Sequence, residues 1–95
     1  MTINEWVEEM RNTEGSILLD VRDTEEYEEG HIEGSINVPV SCMSTWHPAP
    51  GSKIYVYCVS GDRALRAVKV LLLLGYEAVN IGGLTEYEGT LVTDH

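Results

Sequence analysis

KIYVYCVSGDRALRAVKVLLLLG, residues 53–75, decides the fold. Lys53 to Tyr57 alternates β-branched and aromatic residues and reads as a strand. Arg63 to Leu74 reads as a helix. Ala64, Leu65, Ala67, Val68, Leu71 and Leu72 cover most of its circumference, and Arg63, Arg66 and Lys69 leave a narrow polar stripe. A helix so apolar packs against a sheet. Gly75 follows as a left-handed cap. Between strand and helix lies the loop Cys58-Val59-Ser60-Gly61-Asp62-Arg63.

The same alternation runs outward. Ile17 to Leu19 is an apolar run between turn signals, a buried strand ending at Asp20-Val21. Ser35 to Val38 is another strand, stopped by Pro39, and Ala78 to Ile81 a fourth. Thr2 and Glu5 form a capping box, with Ile3, Trp6, Val7 and Met10 on one helical face behind it. That start leaves little room for an edge strand before the first helix. Asp23 or Thr24 caps a short helix through Glu29, closed by Gly30, and Gly82-Gly83 turns into a last short helix around Leu84 to Tyr87. Strands alternating with helices predict an α/β fold. Its sheet is doubly wound and mostly parallel, with four to five strands and helices on both faces. Residues 1–95 are read as a single domain. Ligands of such sheets bind beyond the carboxyl ends of strands. Here those ends are Asp20 to Asp23, Pro39 to Met43, Cys58 to Asp62, and Gly82-Gly83.

Sixteen acids against six Lys and Arg give a net charge of −10, which opposes nucleic-acid binding. Residues 1–33 hold eleven acids and two bases, a net of −9, so the second half is nearly neutral. The acidic helix from Thr24 to Glu29 reads as a solvated face, with docking of a basic partner as the sharper alternative. The longest apolar run, Val70 to Leu74, is too short for a bilayer, and no secretion leader opens the chain. Two cysteines, Cys42 and Cys58, are too few for a disulfide scaffold. A cytoplasmic protein with reduced thiols, away from membranes, is the expectation.

Cys58 stands at a strand's C-terminal end and at the mouth of a helix. Most free cysteines are small buried hydrophobes. This one has a glycine-containing loop that can aim successive N–H groups at one centre, a helix dipole, and the fixed charge of Arg63. An ordinary thiol of pKa about 8.5 is only about 3% thiolate at pH 7, and a one-unit fall gives roughly a quarter. Cys58 is therefore a candidate nucleophile on mechanism alone.

C-V-S-G-D-R, residues 58–63, fits the Cys-x-x-Gly-x-Arg loop of the rhodanese-like domains, which the chain resembles over about Ile17 to Tyr87. The upstream stretch D-V-R-D-T-E-E-Y-E-E-G-H-I-E-G-S-I-N-V-P, Asp20 to Pro39, and the closing L-G-Y-E-A-V-N-I-G-G-L, Leu74 to Leu84, match that family too. The resemblance implies a sulfurtransferase without a cofactor. The Cys58 thiolate attacks the outer sulfur of thiosulfate or of a persulfide donor. The amides of Val59, Ser60, Gly61, Asp62 and Arg63 cradle the resulting persulfide, Arg63 supplies charge, and a thiol or cyanide takes the sulfur. A protein sulfur donor or acceptor is implied as well. The alternative is a sulfur-carrier or regulatory module that docks a partner without turnover. Related phosphatases and arsenate reductases place five residues between Cys and Arg; the four here make a smaller ring suited to one sulfur. Asp62 puts a negative charge beside that ring.

Asp20 and Arg22 share the crevice, as an internal ion pair or bonded to loop amides, with indirect support of the site or substrate contact as the other reading. His31 is expected to bond backbone and pack its turn. Cys42 fills its loop or resolves an oxidised Cys58. No metal site is expected: Cys42, His47 and Cys58 have neither a C-x-x-C pair nor an obvious fourth ligand.

Overall fold

The computed structural model describes residues 1–93. Its elements run α1 (Ile3–Arg11), β1 (Ser16–Asp20), α2 (Thr24–Glu29), β2 (Ile36–Asn37), a 3₁₀ segment (Val40–Thr45), β3 (Lys53–Cys58), α3 (Asp62–Leu73), β4 (Glu77–Gly83) and a 3₁₀ turn (Leu84–Glu86). The sheet is four-stranded and parallel throughout, in the order β2-β1-β3-β4. Among the described residues no helix is long and apolar enough to cross a membrane.

Strand parity divides the core. On one face Leu19, Val21, Ile54, Val56 and Cys58 meet Ala64, Ala67, Val68 and Leu71 of α3, with Met43 of the 3₁₀ segment filling in. On the other, Leu18, Tyr55, Tyr57 and Ile81 meet Ile3 and Val7 of α1 and Ile32. The two alanines let α3 lie close to the sheet. Cys58 takes the α3 side because it is two and four residues on from Val56 and Ile54. Thr2 and Glu5 make the expected reciprocal cap: Thr2 N–H donates to Glu5 Oε1 at 2.8 Å and Glu5 N–H to Thr2 Oγ1 at 3.2 Å.

Four local expectations change. β2 is two residues rather than Ser35 to Val38, because Ser35 turns back to bond Ile32 O through both its N–H and its hydroxyl. The buried face of α3 is narrower than its composition suggests, since Leu65 and Leu72 are 48% and 53% exposed. The last helix is a single 3₁₀ turn. β4 also extends to Gly83 and carries a bulge: Val56 pairs with Asn80 but Tyr57 with Gly82, which leaves Ile81 as the extra residue.

A buried hydroxyl network pins the turn before β2 to β3. Ile32 N–H donates to Tyr57 Oη at 3.1 Å, and the Tyr57 hydroxyl donates to Ser35 Oγ at 3.1 Å. Burial, helped by the nearby Asp20 charge, pushes the Tyr57 hydroxyl well above its usual pKa, so it stays a neutral donor. Tyr57→Phe keeps the ring and strands the Ile32 N–H. We expect a loss of about 1–3 kcal/mol in urea unfolding; an unchanged midpoint would mean that the network holds nothing together.

Candidate functional site

The loop between β3 and α3 is built to place backbone donors on one sulfur. Gly61 has φ 98°, a conformation that favours glycine, and it turns the chain into α3. Gly61 N–H points at Cys58 Sγ at 3.0 Å, and Ala64 N–H, in the first turn of α3, reaches the same atom at 3.4 Å. Cys58 itself is 1% exposed, beneath the loop rather than on its rim. The amides expected to form the cradle run from Val59 to Arg63. Gly61 is the member of that set bonded to the sulfur, and the second donor, Ala64, lies one residue beyond it. The reason is helical: once α3 starts at Asp62, its first free N–H groups converge along the axis toward the strand end below.

The end of β4 buttresses this geometry. Asn80 Nδ2 donates to Gly61 O at 3.1 Å while its Oδ1 accepts from Gly82 N–H at 2.9 Å. Thr85 N–H donates to Val59 O at 3.2 Å. Gly83 packs so tightly under Val59 that a Cβ there would overlap the Val59 carbonyl. Its φ of −141° suits any residue, so the requirement is space alone.

Arg63 is tied to α2. Its guanidinium forks onto Glu26 of α2, with Nη1–Oε1 at 2.6 Å and Nη2–Oε2 at 3.1 Å. Glu26 holds Arg63 above the ordinary guanidinium value, with weaker help from Cys58 and Asp23. In return the Arg63 bond holds the Glu26 carboxyl down at about 2. Glu26 also accepts from Asp23 N–H at 3.1 Å, so it closes the first turn of α2 as well. The solvated-face reading of α2 therefore fails at Glu26. Its signal was present in the Asp23/Glu26 spacing; that of Asn80 was not, because its role depends on the bulge beside it.

Asp20 and Arg22 take the ion-pair reading. Arg22 Nε lies 3.0 Å from both carboxylate oxygens, Nη2 bonds Asp20 Oδ2 at 2.6 Å and Gly30 O at 2.7 Å, and both residues are buried. Burial opposes the Arg22 charge, but Asp20 outweighs it and raises Arg22 above its usual value. Neither residue bonds Cys58, so what they hold is the α2 turn behind the loop. His31 Nδ1 sits 2.7 Å from Tyr27 O and its ring stacks on Tyr27 at 3.7 Å, a packing role as expected. Cys42 is exposed on the 3₁₀ segment; neither cysteine is in a disulfide. Of the expected loop residues, Val59 is half-buried, while Ser60 and Asp62 are exposed and joined by a Ser60 Oγ–Asp62 Oδ2 contact of 3.4 Å.

Residues 4–90 match the rhodanese-like domain family. The chain belongs to that family. It is 34% identical over 73 residues to the thiosulfate sulfurtransferase PspE of Escherichia coli, covering 72% of this chain and 70% of that protein. It is 38% identical over 86 residues to the adenylyltransferase and sulfurtransferase uba4 of Ogataea parapolymorpha, covering 85% of this chain but only 22% of that longer protein. Among solved structures, a rhodanese with anions from E. coli superposes with a TM-score of 0.71 at 30% identity, over 83% of this chain and 99% of that one. This rhodanese-like chain thus has sulfurtransferases among its relatives, and its parallel α/β architecture is theirs.

Two outcomes test the geometry. Gly83→Ala forces the Val59 carbonyl away and the loop with it; we expect about 1–3 kcal/mol of destabilisation by urea unfolding, and wild-type stability would refute the close approach. The Glu26–Arg63 pair sets a pH window. A carboxyl lowered from 4.5 to about 2 contributes stability fully above 4.5 and loses it as pH falls toward 2. Relative to Glu26→Gln, the wild type should lose stability across that interval and hold a constant difference above it; a flat difference throughout would contradict the pairing.

Proposed function

We propose that the protein is a sulfurtransferase that carries sulfur as a persulfide on Cys58. The Cys58 thiolate attacks the outer sulfur of thiosulfate or of an organic persulfide. The new S–S bond forms as the bond to sulfite or to the donor thiolate breaks, and the leaving group departs with the electron pair. A thiol or cyanide then attacks the outer sulfur of the Cys58 persulfide and restores the thiolate.

The observation that carries this reading is the pair of main-chain N–H groups on Cys58 Sγ, at 3.0 Å and 3.4 Å. Donors aimed at that sulfur complement the negative charge that Cys58 Sγ carries as it attacks, and that returns to it when an acceptor removes the outer sulfur. They are backbone groups held by α3 and β4, so they need little reorganisation during the reaction. Gly61 and Ala64 are assigned as anion-binding amides, Arg63 as the charge that Glu26 positions beside them, and Val59, Ser60 and Asp62 as the rim a donor crosses. Because Cys58 lies under that rim, loading requires the exposed Ser60–Asp62 edge to yield. A reducing compartment such as the cytoplasm suits the free thiol.

The test is the intact mass after prolonged incubation with thiosulfate or with an organic persulfide. The wild type should gain one sulfur that a thiol or cyanide removes, and Cys58→Ser should gain none while keeping the wild-type circular dichroism. A wild type that gains no sulfur from either donor, or a Cys58→Ser variant that still gains it, overturns the assignment.

A further inference from the structure

The rim of the loop carries an electrostatic signature that the sulfur chemistry alone does not require. Asp62 is the first residue of α3 and lies between Gly61 and Ala64, the two residues whose amides bond Cys58 Sγ. Its carboxylate is exposed, and its contact is the Ser60 hydroxyl, itself on the rim. The cation that would offset it, Arg63, has both arms of its fork on Glu26. Asp23 adds a further negative charge close enough to act on Arg63. Arg66 stands a turn farther along α3, on its exposed side. The charged side chains gathered around the loop, Asp62, Asp23 and Glu26 against Arg63, therefore sum to a net negative charge, on a chain whose overall charge is −10.

Thiosulfate is a dianion and must bring both charges past that rim. A persulfide on a thiol that bears an ammonium group delivers the same outer sulfur with no net negative charge. Resting on the sulfurtransferase reading above, we propose that Asp62 selects the donor class. The site disfavours dianionic donors and takes its sulfur from persulfides carried on uncharged or cationic thiols. The balanced step is attack of the Cys58 thiolate on the outer sulfur of R–S–SH. One S–S bond forms, the original one breaks, R–S⁻ leaves, and Cys58 retains the sulfur and its proton. No oxidant or reductant is consumed.

The test measures the second-order rate of Cys58 loading by rapid quench and intact mass, with thiosulfate and with 2-aminoethyl persulfide. It compares wild type, Asp62→Asn, Asp62→Lys and the charge-keeping Asp62→Glu at low ionic strength. Asp62→Asn should speed loading by thiosulfate about three- to tenfold, and Asp62→Lys further, while slowing the cationic donor; added salt should compress both differences. Asp62→Glu should keep the wild-type preference. Thermal melts by circular dichroism confirm that each variant retains α3, since loss of an acid at a helix start weakens it only slightly. If both donors load Cys58 and neither rate responds to residue 62, or both respond alike, this inference falls and the sulfurtransferase reading stands. If neither donor loads Cys58 in any variant, both fall together.

Discussion

Two backbone N–H groups meeting one sulfur atom are the constraint around which the rest of this molecule is arranged. Neither donor can be supplied by a side chain at that position, and neither can be set by local sequence alone. Gly61 must turn with positive φ, α3 must begin one residue later, and β4 must hold the outer side of the loop through Asn80 and the bare α-carbon of Gly83. The first two requirements lie within the loop itself and the third comes from a distant strand. The parallel sheet order β2-β1-β3-β4 brings them to one end. In such a sheet the helix starts also gather at that end, which is why backbone donors converge there without any cluster of cationic residues.

The strong charge asymmetry of the chain acquires a structural meaning at this site. Most of the early acids face solvent, but Glu26 crosses from α2 to fasten Arg63. That contact steadies the guanidinium beside the loop and also cancels much of its attraction for an incoming anion. In the proposed reading the centre relies on oriented dipoles for the sulfur and on a negative rim for discrimination, so that a small soft anion formed in place is stabilised and a diffusing dianion is repelled on approach.

Much of this was legible in the sequence. KIYVYC followed by a glycine loop and an apolar helix announced the central strand, the position of Cys58 at its end and the parallel crossover. Thr2 with Glu5 announced the first helix. What was not legible depended on contacts between distant segments. Ala64 looked like one more small helix residue, and only the pitch of α3 over the strand end turns its N–H toward Cys58. Asn80 sat in a plain strand pattern, and its side chain reaches Gly61 because the adjacent bulge at Ile81 frees Gly82 N–H to bond it. Leu65 and Leu72 misled in the opposite direction, since composition alone cannot tell an apolar residue that packs from one left in solvent.

The most direct measurement follows the backbone donors themselves. In ¹H–¹⁵N spectra recorded before and after sulfur is loaded, the amide protons of Gly61 and Ala64 should shift together as charge leaves Cys58 Sγ for the outer sulfur, and return when a thiol acceptor strips the sulfur. If those two signals stay in place while Cys58 gains and loses its sulfur, the main chain does not hold the reacting atom, and the anion-binding role of these amides is contradicted.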